Sequence, residues 1–373
     1  MSRSPWPVVL LLAALAAYLS PHWTPGGLGA GGLGLDTGSS SDHRSPRAPV
    51  PAPLPGSDPA ASLTPASRAL FDQVRPASVQ IEQLSRGGAG GLGSGFFISA
   101  QGLVLTAYHV VDGARVIRVR TAGDQTYPAK VVGFDNAADV ALLQIQARAA
   151  VPFLTLAPLT PRVGERVLAV GNSRGDFLQA RRGLLLALNA EAGRSDFPEG
   201  TLEMSAPLAP GDSGGPIVNA AGQAIGVVSY VRVDDQGNTL TSYAVPVTAG
   251  ETLITQLKAG VRRDVPAIGL TFDNAHDGQT TPPGAVISSV VGGGPADQAG
   301  LRGVQSDASG AVTGLGDIIL SVGGTRTRSS DEAIAEIRRH QIGQTVTLGV
   351  IRAGVRRDVN MKLVARGSLV FSR

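Results

Sequence analysis

The apolar positions of this chain fall in short runs cut by glycine and proline, the pattern of strands and turns rather than of long helices. Leu103-Val104-Leu105-Thr106-Ala107-Tyr108-His109-Val110-Val111 reads as an apolar strand that ends on a histidine. Asp139 is followed by Val140-Ala141-Leu142-Leu143-Gln144-Ile145, an alternating buried run. Phe96-Phe97-Ile98-Ser99 and the turn at Gly102 predict a hairpin, and Val227 to Tyr230 continue as a strand. A helix signal comes late: Ser329 and Glu332 form a capping box ahead of Ile334 and Ile337, which share one side. Two β-rich runs, 345–351 and 355–364, follow it. The expected fold class is mainly β.

Two stretches near the N-terminus differ from this pattern. Val8 to Leu19 is a continuous apolar run behind Arg3, flanked by Trp6, Pro21 and Trp23. It reads as a signal-peptide core, with Ala14-Leu15-Ala16 as a cleavage site, or as an uncleaved signal anchor over residues 1–23. Either reading sends the rest of the chain across a membrane. Residues 24–65 are poor in large apolar side chains and end in the proline-rich string Ala48 to Pro55. Such a segment cannot bury enough surface to offset its ordering entropy, so it is read as a disordered tether.

Composition excludes several kinds of chemistry. The 373 residues include no cysteine, which removes disulfides, thiolate metal sites and a cysteine nucleophile together. Five histidines are too dispersed for a zinc site, and no metal or cofactor is expected. The net charge of +3 is modest, and no basic stripe with interleaved aromatics points to nucleic acid. Gly88-Ala89-Gly90-Gly91-Leu92-Gly93 fits the dinucleotide pattern in form, but a hairpin follows it where a helix should open, so the nucleotide reading is rejected.

Against that background one hexapeptide stands out: Gly211-Asp212-Ser213-Gly214-Gly215-Pro216. Flanking glycines let the backbone turn tightly, which exposes Ser213 Oγ and brings the N–H groups of Gly211 and Ser213 to one spot, an oxyanion hole. A serine is a poor nucleophile without a base and a group that orients the base. His109 and Asp139 supply both, and His109 is the only histidine between residues 66 and 258. Each residue alone has a bland reading (a turn serine, a core histidine, a strand cap). Their joint order of His, Asp, Ser favours nucleophilic catalysis.

Five blocks together resemble the HtrA (Deg-type) serine proteases: Gly93 to Ile98, Thr106 to Val111, Asp139 to Leu143, Val170-Gly171-Asn172, and Gly211 to Asn219. The resemblance runs from about residue 66 to 366. It implies a chymotrypsin-like double β-barrel over 66–260, followed by a PDZ domain over 264–367. It further implies that His109, Asp139 and Ser213 are catalytic, that unfolded or damaged proteins are degraded outside the cytoplasm, and that the chain forms a homotrimer. The alternative is a PDZ-bearing chaperone or scaffold with gated or minor proteolysis. Ahead of Ser213, where trypsin-like enzymes hold an aspartate for Arg or Lys, this chain has Pro207. With Leu208 and Val228 nearby, the pocket is expected to be apolar and small to medium, and Ser229 and Tyr230 to pair with an extended substrate. Ile268-Gly269-Leu270 resembles the PDZ loop that takes a peptide's C-terminal carboxylate, and residues 305–313 resemble an insertion. Two departures are visible. The family usually carries asparagine ahead of the histidine and before the serine, where this chain has Ala107-Tyr108 and Asp212. No activation sequence and no disulfides accompany Asp212, so it needs a partner other than a new N-terminus.

Overall fold

A computed structural model of the chain describes residues 8–11, 63–85, 90–191, 197–234, 237–308 and 312–369. Most of the N-terminal apolar run and nearly all of the 24–65 tether lie outside the described residues. Helix α1, Pro65–Val74, has the Thr64 hydroxyl accepting from the Ser67 N–H as its cap.

Six strands then form the first barrel: β1 Ser78–Ser85, β2 Gly90–Phe97, β3 Leu103–Thr106, β4 Ala114–Thr121, β5 Thr126–Asp135 and β6 Val140–Ile145. Antiparallel pairing runs β1-β2-β3-β6-β5-β4 and returns to β1, so the sheet has no free edge. The second barrel repeats that order with β7 Arg166–Gly171, β8 Gln179–Ala190, β9 Thr201–Met204, β10 Pro216–Val218, β11 Ala224–Val233 and β12 Thr239–Pro246. Its ring runs β7-β8-β9-β12-β11-β10. Phe96, Phe97, Leu105, Leu142 and Leu143 fill the first core, and Leu185, Met204, Ile217 and Val228 the second. Burial of each large side chain contributes about 1.5–3 kcal/mol.

The predicted strand over residues 103–111 is shorter in the structure. It ends at Thr106, and Tyr108–Val111 forms the single helical turn α2, which carries His109. Asp139 precedes β6 with φ +54, a left-handed turn that aims its side chain back along the sheet. Residues of β6 are buried on both faces rather than alternately, because one side fills the barrel and the other faces α2 and its neighbours. The hairpin at Gly102 is present (φ +86), and Gly90 onward is strand, with no helix after it.

A third unit has the sheet order β13 Leu270–Phe272, β14 Ala285–Val290, β15 Ile318–Val322, β16 Thr345–Arg352 and β17 Val355–Lys362, each pair antiparallel. Helix Ser330–Arg338 packs on it through Ala333 and Ile337. The Ser329 hydroxyl caps this helix at the Glu332 N–H, whereas Glu332 reaches back to the Arg328 N–H, one residue earlier than in a full capping box. Within 305–313, Gln305–Ser306 pairs with Val312–Gly314 as a small ribbon.

The third unit is tied to the first barrel close to α2. Asn136 Nδ2 donates to Asp264 Oδ1 at 2.6 Å, and Arg366 pairs with Asp112 at 3.1 Å. The Tyr108 hydroxyl donates to Asp112, and its ring stacks on Phe134 at 4.5 Å between centroids. Burial, with Asp112 and Asp264 beside it, pushes the Tyr108 hydroxyl well above the usual tyrosine range. Tyr108, one of the two departures noted in the sequence, is therefore a junction residue.

Candidate active site

The site lies where the two barrels face each other. His109 comes from α2 and Asp139 from the turn before β6, both in the first barrel, and Ser213 from the turn before β10 in the second. Asp139 accepts from His109 twice: from the backbone N–H at 2.9 Å and at ring Nδ1 at 2.8 Å. A carboxylate bound to Nδ1 fixes the proton there and leaves Nε2 as the basic nitrogen. Asp139 also accepts from Ser229 Oγ of β11 at 2.5 Å. Ser213 Oγ and His109 Nε2 are buried and have no hydrogen-bond partner, so the base and nucleophile are not yet bonded to each other. Such bonds are often long in unliganded enzymes and tighten with substrate.

The turn around Ser213 is locked by its carbonyls. In a trans peptide the C=O and N–H point in opposite directions, so anchoring one aims the other. Pro210 C=O accepts the Arg174 N–H at 2.7 Å, which turns the Gly211 N–H the other way. Asp212 C=O accepts the Gly215 N–H at 2.9 Å, which does the same for the Ser213 N–H. Among the described residues neither of these two amides has a protein acceptor. Gly211 C=O is held by Ser94 Oγ at 2.6 Å, and Ser94 in turn accepts from the Asn172 backbone and side chain. Two glycines are required here. Gly211 has φ +99 and a Cβ there would overlap Asn172 O; Gly214 has φ +84 and a Cβ would overlap Ser94 O and Thr106 Oγ1.

Asp212 is almost fully buried and finds its partners locally. Its carboxylate accepts from Ser173 Oγ at 2.6 Å and from the Ala209 N–H at 2.9 Å. Burial pushes it up to about 6, against the pull of those two donors and of the Arg181 cation.

The remaining predicted site residues are placed differently. Leu208 and Val228 are buried in the core of the second barrel, while Pro207 is exposed. The Ser229 side chain donates to Asp139, while its backbone lies in strand β11. The β11 edge beyond it, Tyr230–Val233, is paired antiparallel with Val8–Leu11. In the third unit, Ile268 is buried in the core and its C=O accepts from Ala296 N–H. Gly269 has φ +78 and its C=O accepts from Val291 N–H, and Leu270 is half-buried at the start of β13. Ser94, Asn172 and Ser173 were not assigned roles from sequence. Their only signal was position inside or beside the blocks that carry the resemblance. Among the described residues, no cluster of histidine and carboxylate side chains could hold a metal ion.

Comparison with known proteins agrees with this architecture. A trypsin-like peptidase domain matches residues 93–227, and a PDZ domain matches residues 266–363. The chain is 31% identical to Protease Do-like 1, chloroplastic, of Arabidopsis thaliana over 73% of its own length and 63% of that protein. It is 31% identical to the putative serine protease HhoB of Synechocystis over 70% of its length and 64% of that protein. It is 32% identical to a probable periplasmic serine endoprotease DegP-like of Pseudomonas savastanoi over 74% and 56%. The chain thus spans less than two thirds of these relatives. A serine endoprotease from Yersinia pestis overlays with TM-score 0.47 at 26% identity, covering 81% of this chain and 98% of that one.

Two closed barrels with a peptidase-domain match, followed by a PDZ domain, define the architecture of a trypsin-like peptidase domain joined to a PDZ domain. The chain shares with its Deg-type serine protease relatives a trypsin-like peptidase domain, and it carries one PDZ domain after it.

Proposed function

We propose that the chain is a serine endopeptidase that cleaves unfolded or damaged proteins through an acyl-enzyme. The observation that carries this reading is Asp139 bonded to His109 Nδ1, beside a buried Ser213 Oγ in a turn with two unpaired amides. In this mechanism His109 Nε2 takes the Ser213 proton as Oγ attacks the scissile carbonyl. The Gly211 and Ser213 N–H groups stabilise the oxyanion, and Asp139 stabilises the imidazolium. The proton then passes to the leaving amine, and water repeats the sequence to release the acyl group.

An extended substrate would add as a strand beside β11; the edge at Tyr230–Val233 already accepts an antiparallel segment. Peptides with a free, apolar C-terminus would bind at Ile268 to Leu270. By analogy with the periplasmic DegP-like relatives the site of action is outside the cytoplasm, and the HtrA resemblance implies a homotrimer. No described helix is long and apolar enough to cross a membrane.

Casein digestion tests the reading. Ser213→Ala and His109→Ala should each lose about three or more orders of magnitude in turnover, and the double variant little more, because the residues act as a unit. Protease activity surviving in purified Ser213→Ala refutes it.

A further inference from the structure

The turn that presents the Gly211 amide leans on a strained neighbour. Arg174, inside the tight turn Ser173–Gly175, has φ 53 and ψ 25, a left-handed conformation that a non-glycine residue adopts only under restraint. Its N–H is the group that holds Pro210 C=O and thereby aims the Gly211 N–H. The residue before it, Ser173, is buried and lays its hydroxyl across both oxygens of Asp212. The Asp212 carboxylate also draws in the Ala209 N–H, and the Asp212 N–H donates to Ala209 C=O, which closes the segment 209–212 on itself. Ser173 and Asp212 therefore join the two segments whose contact sets the oxyanion donor.

We propose that Ser173 and Asp212 are positioning residues for the oxyanion turn: the hydroxyl–carboxylate tie holds Arg174 N–H on Pro210 C=O, and so keeps the Gly211 N–H facing the reacting carbonyl. The tie is strongest when Asp212 is ionised, because a hydrogen bond to a charged acceptor is about twice as strong as a neutral one. Burial brings the carboxyl into the weakly acidic range, so its ionisation overlaps the working range of a histidine base. The charged group acting on it is Arg181 of β8, whose Nη1 donates to Ala180 C=O; Arg174 and Asp176 on the neighbouring turn are exposed. From the first barrel the nearby polar group is the Ser94 hydroxyl, which carries no charge.

The inference rests on the protease reading, and Ser213→Ala measured alongside separates the two: wild-type activity there would refute the protease reading itself. Given a normal loss in that control, Ser173→Ala should lower kcat about 10- to 100-fold with KM within about threefold, because the ground state is bound without the oxyanion hole. Ser173→Thr, which keeps the hydroxyl, should recover most of the loss, whereas a packing defect would not be rescued. Asp212→Asn keeps both partners but not the charge. It should lower kcat about threefold at pH 8, and its acid limb should follow one proton where the wild type follows two. Unchanged kcat in Ser173→Ala, a threonine variant no better than alanine, or the same acid limb in wild type and Asp212→Asn each overturns the proposal.

Discussion

Ser229 Oγ of the second barrel donates to Asp139 Oδ2 of the first at 2.5 Å, so the carboxylate that orients His109 is held from both sides of the interface between barrels. Asp139 is buried, and every lone pair it shows to the protein is used by His109 or Ser229. A buried acceptor that loses a donor retains its desolvation penalty, on the order of 1–3 kcal/mol.

Ser229→Ala should therefore lower kcat about tenfold or more, with the barrel fold intact. Steady-state kinetics on a peptide substrate, beside a melting curve, checks this. A fall confined to KM would contradict this support of Asp139.

The Asp212 carboxyl makes a second prediction about stability. Its folded-state value is raised by burial to about 6 from an ordinary 3.8. A carboxyl raised in this way favours the folded state below the unfolded value, and that contribution is lost as pH rises through about 6. Asp212→Asn should thus be more stable than wild type at pH 8, by on the order of 1–3 kcal/mol, or a few degrees in Tm. At pH 3.5 the difference should vanish, since both side chains are then neutral. Equal Tm differences at the two pH values would contradict the burial argument.

At the junction, Arg366 and Asp112 form a partly exposed pair between the PDZ domain and α2. Exposed pairs contribute little to global stability, about 0–1 kcal/mol. Arg366→Ala should leave the main thermal transition nearly unchanged while raising hydrogen exchange in 108–112 and 262–266. No change in exchange at those segments would mean that the Asn136–Asp264 hydrogen bond and its neighbours hold the junction without this pair.

PDZ binding yields a fourth. In the Ser213→Ala full chain, an apolar-ended peptide acid should bind at least about tenfold tighter than its C-terminal amide, because amidation removes the charge that loop amides meet. Isothermal titration with both forms decides it. Equal affinities would exclude Ile268 to Leu270 as a carboxylate loop.

Much of this protein was legible from local sequence. The turn at Ser213 depends on glycines that allow positive φ, and such residues are recognised one position at a time. The apolar runs of β2, β3, β6 and β11 announce strands because period and β-branching are properties of a few consecutive residues. The His, Asp, Ser order marked three side chains without any knowledge of their distances.

Tertiary structure decided what touches what. Nothing in Val228-Ser229-Tyr230 says that the serine hydroxyl crosses between barrels to reach Asp139, since that contact exists only once both rings have closed and packed. Leu208, in the loop after β9, and Val228, in β11, both pack into the second core, a placement that only the closed barrel decides. Tyr108 was visible as a departure, yet its place between Phe134, Asp112 and the PDZ junction needed the chain to return near Asp264 and Arg366. Asp212 is the clearest case. Sequence required a partner for a carboxylate that could not remain alone, and only the meeting of two distant turns made that partner Ser173.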